Sequence, residues 1–246
     1  MAVIEGRNAV IEALRAGVPL SRVTIAEGTK PDRGLDEIVS RAGEAGVAVD
    51  RAPKRVLDAK SDRGAHQGVI AEAKPYKYAS LDDVLQRAEG KPAALIIALD
   101  HITDPGNLGA VVRTAEVVGA DGVVVANARQ AAVTPAAYKS SAGALSHVLL
   151  AQEANLVRSL ERCKAAGFWI AGASEHAEQT VWDAPLEGRI VLVVGSEGGG
   201  LARLTRETCD FLVRLPQVGQ VGSLNVAQAT TAIAYEWVRR SSIARD

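Results

Sequence analysis

In the second half of the chain, apolar runs alternate with polar, glycine-bearing breaks. Ile190–Val194 is five consecutive apolar residues, three of them valine, a run that suits a strand buried on both faces as in a parallel sheet. It breaks into the turn Gly195–Gly200. Phe211–Leu215 predicts a second such strand, and Pro216–Gly222 a second glycine-bearing loop. After Ser223-Leu224-Asn225, the residues Val226, Ala229, Thr230, Ile233, Ala234 and Trp237 fall on one helical stripe. Two loops ending two adjacent strands would cradle one ligand, where open α/β sheets hold theirs.

The pattern extends upstream. Ala94–Leu99 predicts a buried strand, followed by the polar loop Asp100–Gly109 with an Asp-Pro-Gly-Asn turn. Asn107 is placed to cap a helix whose Val111, Val112, Ala115 and Val118 face the sheet, with Gly119 as its stop. Gly122–Ala126, His147–Ala151 and Phe168–Ala173 read as further strands, with helices over Thr134–Gly143 and around Leu156–Ala166. This β-α alternation predicts a parallel sheet with helices on both faces.

The front is a smaller α/β unit over 1–74. Its expected helices are Glu5–Ala16 and Leu35–Ala45, the latter with Leu35, Ile38, Val39 and Ala42 inward. Strands are expected at Arg22–Ala26, Val47–Val49 and Gly68–Ala73, with a helical turn after Pro53. Residues 75–92 read as a linker holding a short helix at Leu81–Ala88, and 93–246 as a larger domain.

Composition narrows the function classes. A net charge of -1 excludes a whole-chain basic footprint, so any nucleic-acid contact is local. One local excess lies between Arg51 and Arg63, where Arg51, Lys54, Arg55, Lys60 and Arg63 stand against two acidic residues. That is either a solvated face or an RNA phosphate contact. No apolar run reaches membrane-span length and Met1–Arg15 lacks a signal-peptide layout, so a cytoplasmic protein with reduced Cys163 and Cys209 is expected. There is no GxxxxGK[ST], no GxGxxG after a strand and no GxSxG. His66, His101, His147 and His176 have no metal-ligand spacing, so no metal is expected.

Three stretches carry a more specific signal: NLGAVVRTAE, VVGSEGGG and VGSLNVAQAT, in that order. Together they resemble the three motifs of the SPOUT superfamily, TrmH-type (SpoU) RNA 2'-O-ribose methyltransferases, across Ala94–Arg240. EGRNAVIEALRAG and RGAHQGVIAEA resemble the ribosomal-protein-like RNA-binding domain that precedes the catalytic domain in the rRNA-modifying branch. The resemblance implies a parallel-sheet catalytic domain with a deep trefoil knot, S-adenosylmethionine (SAM) as methyl donor, and a homodimer. By motif position it implies adenosine contacts at Gly195, Leu215 and Leu224, and catalytic roles for Asn107, Arg113, Glu197, Ser223 and Asn225. Arg7, Lys54, Arg55 and Arg63 would contact RNA. Taken alone, a helical arginine is usually a salt-bridge partner, and leucines like Leu215 and Leu224 are usually core; the motif match lifts them. The implied reaction is 2'-O-methylation of a guanosine in 23S rRNA, naked or in an assembling large subunit. The alternatives are a tRNA guanosine methyltransferase, an rRNA adenosine methyltransferase conferring antibiotic resistance, and a non-catalytic ribosome assembly factor.

Overall fold

The computed structural model describes residues 2–61, 64–196, 198–220 and 222–242. The chain divides into two compact units, Met1–Lys77 and Tyr78–Asp246.

The first unit contains β1 (Ala2–Glu5), α1 (Arg7–Arg15), β2 (Leu20–Ala26), α2 (Arg33–Glu44), β3 (Ala48–Ala52), α3 (Lys54–Lys60) and β4 (Val69–Ala73). Its sheet runs β1-β4-β2-β3, with β2 and β3 parallel and β4 antiparallel to both its neighbours. The helix expected from Glu5 starts two residues later. Glu5 instead ends a short strand paired with β4, and Gly6, at φ +92, turns the chain between them. Along α2, Leu35, Ile38 and Ala42 are buried, but Val39 is 48% exposed. The i, i+3, i+7 line meets the sheet, and Val39 falls off it.

The second unit opens with α4 (Leu81–Arg87), closed at its start by a Ser80–Asp83 capping box. This helix is no linker. Leu81, Val84 and Ala88 are fully buried in a core shared with Ile96, Leu160 and Val193. There follow β5 (Ala94–Asp100), α5 (Pro105–Val117), β6 (Gly122–Ala126), α6 (Pro135–Ser141), β7 (Leu150–Glu153), α7 (Leu156–Ala165), β8 (Trp169–Ala173), β9 (Arg189–Gly195), α8 (Arg203–Thr208), β10 (Phe211–Val213) and α9 (Val226–Ser242). The sheet is parallel throughout, in the order β10-β8-β9-β5-β6-β7. All seven residues of β5 are buried, as a strand covered on both faces requires.

Strand order corrects one expectation. The strands that lead into the two glycine loops are not neighbours, because β8 lies between β9 and β10. The neighbours are β5 and β9, with Asp100 opposite Gly195 in register. From β5 the chain builds outward to β6 and β7 and then returns to the other side for β8 and β9. Such a reversal opens a crevice at the C-terminal ends of the strands. The β-α alternation also lapses once: 174–188 holds no helix and pairs through Gln179 and Val181 with Arg214, covering the outer end of β10.

Candidate active site at the C-terminal edge of the sheet

The glycine turn after β9 folds back on itself. Ser196 N donates to Gly200 O at 3.2 Å and Gly200 N to Ser196 O at 2.9 Å. A Cβ on Gly195 would lie 2.2 Å from the carbonyl carbon and oxygen of Gly200, so no other residue fits there. Glu197 lies outside the described residues.

The turn forms one wall of a cavity of about 260 Å³. Gly195, Leu215, Leu224 and Ser223 all line it, which brings the three expected adenosine contacts and one expected catalytic residue to one place. Ser174, Glu175 and His176, after the intervening β8, complete the floor between the two loops. Sequence reasoning missed this third loop, because only strand order reveals it. Arg206 and Arg214 also line the cavity. Among the described residues, the main-chain groups of Leu215 and Leu224, both of which line the cavity, enter no hydrogen bond. A glycine-cradled pocket with unused backbone groups fits an adenosine.

Asn107, Arg113 and Asn225 lie outside the cavity lining, and a hydrogen bond ties two of them together. Asn225 Nδ2 donates to Asn107 Oδ1 at 2.9 Å, across 118 residues. Asn225 Oδ1 in turn accepts from Ala227 N at 2.9 Å, so one side chain caps α9 and reaches the first motif. Asn107 itself is not the cap of α5. Asp104 is, its carboxylate accepting from Asn107 N at 2.9 Å, with Pro105 at the first helical position. That leaves the Asn107 side chain for Asn225. Arg113 is exposed on α5, beside Thr114, whose hydroxyl meets that of Thr231 on α9 at 2.7 Å. Gly109 lets α5 approach α6 closely: a Cβ there would lie 2.2 Å from Ala137 O.

The apolar stripe of α9 packs into the core of this unit. Val226, Thr230, Ile233, Ala234 and Trp237 are buried, and Trp237 Nε1 donates to Gly188 O at 3.0 Å. Burial pushes both the Cys163 and Cys209 thiols up to about 12, which makes them poor nucleophiles.

In the first unit, Lys54 and Arg55 are exposed at the start of α3, while Arg63 lies outside the described residues. Arg7 is engaged internally, paired with Asp32 and donating to Gln67 O at 3.3 Å. Lys60 pairs with Glu72 at 2.6 Å and holds that carboxyl below its usual range, so it too is committed within the unit.

Comparison with known proteins agrees with this geometry. Residues 94–235 match the SpoU rRNA Methylase family, and residues 3–79 match the RNA 2'-O ribose methyltransferase substrate-binding domain. A protein of Mycobacterium avium named an uncharacterized tRNA/rRNA methyltransferase is 41% identical over 235 residues, 96% of this chain and 76% of that protein. The crystal structure of the SpoU methyltransferase AviRb from Streptomyces viridochromogenes, in complex with AdoMet, superposes with a TM-score of 0.64 at 27% identity, covering 96% of this chain and 89% of that one. The TrmH/SpoU tRNA modifying enzyme of A. aeolicus gives a TM-score of 0.58 at 27% identity over 67% of this chain and 84% of its own. The chain belongs to the SpoU methylase family and is an RNA 2'-O-ribose methyltransferase that uses S-adenosylmethionine.

Proposed function

We propose that the chain methylates the ribose of a guanosine in 23S rRNA, as a cytoplasmic homodimer, with the cavity as the cofactor site. The observation that carries the site assignment is the Asn107–Asn225 hydrogen bond. It draws the first and third motifs together next to Leu224, on the cavity rim. When bound, S-adenosylmethionine supplies a methyl group on a sulfonium. Backbone at Gly195, Leu215 and Leu224 holds its adenosine. Asn107, Ser223 and Asn225 position the target nucleotide at the mouth of the pocket.

Arg113 faces the target ribose in this reading. Its guanidinium is protonated at any working pH, so it acts as a fixed cation on the 2'-oxygen as negative charge develops there, and not as a base. Glu197, from the second motif, helps orient that guanidinium or the loops. The remaining demand is positioning, which the packed loops meet.

The substrate-binding unit supports rRNA over tRNA. The tRNA-modifying enzyme of A. aeolicus corresponds to only 67% of this chain, so part of this chain has no counterpart in that enzyme. Lys54 and Arg55, exposed at the start of α3, supply phosphate contacts there. A dimer face is supported by Val117 on α5 and Tyr235 on α9, 58% and 50% exposed near the Thr114–Thr231 contact. Incubation with tritiated SAM and separate pools of unmodified rRNA and tRNA, followed by 2'-O-methyl mapping, tests the substrate. Label in one 23S guanosine is expected. Label in tRNA alone overturns the rRNA assignment and keeps the chemistry.

A further inference from the structure

Asp100 ends β5 with only 2% of its surface exposed, between the first and second motif loops. Burying a carboxylate is unfavourable unless its oxygens are hydrogen-bonded. Here each oxygen has a partner on a different loop. Oδ2 accepts from Ala202 N at 2.7 Å, 102 residues further along the chain. Oδ1 lies 2.6 Å from His101 Nδ1, at the start of the next loop. His101 has φ +62, an uncommon conformation for a residue with a Cβ, and its contact with Asp100 helps hold the turn out of β5 in that shape.

Ala202 is where the glycine turn is fastened. The turn leaves β9 at Gly195, doubles back through the Ser196–Gly200 pair, buries Leu201 and meets Asp100 at the next residue. Gly195, Gly200 and Leu201 all line the cavity. Fixing Ala202 therefore fixes the cavity wall against the end of β5. His101 begins the loop that runs on to Asn107. One buried side chain thus joins the wall of the pocket to the segment that presents a motif residue.

We propose that Asp100 is a positioning residue for methyl transfer, setting the glycine wall through Ala202 and the Asn107 loop through His101. This rests on the cavity being the cofactor site. A built-in control exists in Asp121, equally buried at 2% exposure but at the opposite edge of the sheet, where it accepts from Leu95 N and pairs with Lys91.

The test is calorimetric titration with S-adenosylhomocysteine, alongside KM for SAM and kcat on RNA, for Asp100→Ala, Asp100→Asn, Ala202→Pro and Asp121→Ala. Ala202→Pro deletes only the donor, and the Ala202 φ of -58 suits proline, so it probes the same bond if Asp100→Ala does not fold. Asp100→Ala and Ala202→Pro are expected to weaken binding about ten- to hundredfold and to raise KM for SAM in step. Asp100→Asn keeps an acceptor for Ala202 and is expected to bind within about threefold of wild type, while kcat stays low because its hold on His101 is altered. Asp121→Ala is expected to lower the thermal midpoint and leave the dissociation constant unchanged.

Wild-type affinity in both Asp100→Ala and Ala202→Pro overturns the proposal, as does an equal loss of affinity in Asp121→Ala. Gly195→Ala, measured in parallel, separates the two levels. If it too binds at wild-type strength, the cavity is not the cofactor site. If it alone loses binding, the site stands and only the role of Asp100 falls.

Discussion

At the N-terminal end of the parallel sheet, side chains close the loose backbone groups; at the C-terminal end, backbone is left open. Asp121 accepts from Leu95 N at 3.1 Å and takes Lys91 Nζ at 2.5 Å. Arg189 donates to the carbonyls of Ala88, Lys91 and Ala166 and lies 4.3 Å over the Phe168 ring. Trp237 ties α9 to Gly188 at the same end. The opposite edge has the Gly195–Gly200 turn, an exposed Leu224 and main-chain groups at Leu215 and Leu224 without partners among the described residues. The difference shows how one sheet divides its labour. Strands pinned at one end hold open loops in register at the other, so a ligand meets groups that are already placed.

That division predicts which substitutions silence chemistry without unfolding the chain. The largest effect is expected for Arg113→Ala. Removing one cation from a developing oxyanion costs about 10³-fold in kcat. Thermal midpoint and S-adenosylhomocysteine affinity are expected to stay at wild-type values, because Arg113 is exposed and outside the cavity. Tritium incorporation under single-turnover conditions reads this, and wild-type turnover would remove Arg113 from the mechanism. Next comes Gly195→Ala. Its Cβ meets Gly200 backbone at 2.2 Å, and overpacking of that kind costs about 1–3 kcal/mol, or roughly ten- to hundredfold in cofactor affinity. Calorimetry that finds full affinity would show that the cavity walled by this turn is not the cofactor site.

Much of this edge was legible before the fold was known. The β5, β6 and β9 runs declare themselves because a parallel strand buried on both faces must be apolar throughout, and α9 because its stripe repeats every three to four residues. Local pattern stops at strand order. Nothing in Phe211–Val213 says that β8 separates it from β9, so the Ser174–His176 loop could not be placed in the pocket. Asp104 and Asn107 are both good cap formers, and it is Pro105 at the first helical position that favours Asp104. Leu81, Val84 and Ala88 are too few, in too polar a stretch, to announce a core helix. Asp100 carried no signal at all, since its burial and its bond to Ala202, 102 residues away, exist only once the sheet is assembled.

The anchored end offers the converse test. Arg189→Ala removes a hydrogen bond to the carbonyl of buried Ala88 and two more to the exposed carbonyls of Lys91 and Ala166, together with the contact over Phe168, and is expected to cost about 1–2 kcal/mol of stability. Urea denaturation measures that loss. Cofactor affinity in the folded fraction is expected to stay unchanged, because the pocket lies at the far end of the strands. A matching fall in affinity would mean that the two ends are coupled and the division of labour is not real.

The same contrast between committed and open groups divides the cations of the first unit, where the expected effect is smallest. Arg7 is spent on Asp32, Arg22 on Asp50 and Lys60 on Glu72, while Lys54 and Arg55 stand exposed at the start of α3. A cation already paired with a carboxylate adds little to a phosphate contact, since its partner repels the phosphate. Replacing Lys54 and Arg55 together by alanine is therefore expected to weaken RNA binding. The slope of log affinity against log salt is expected to become shallower by about 1.4–1.8, the value for two released phosphate contacts. Lys60→Ala is expected to leave that slope at its wild-type value. Filter binding across a salt series distinguishes the two. An equal change in both variants would mean that exposure does not select the RNA-contacting cations, and an unchanged slope for the double variant would return Lys54 and Arg55 to an ordinary solvated face.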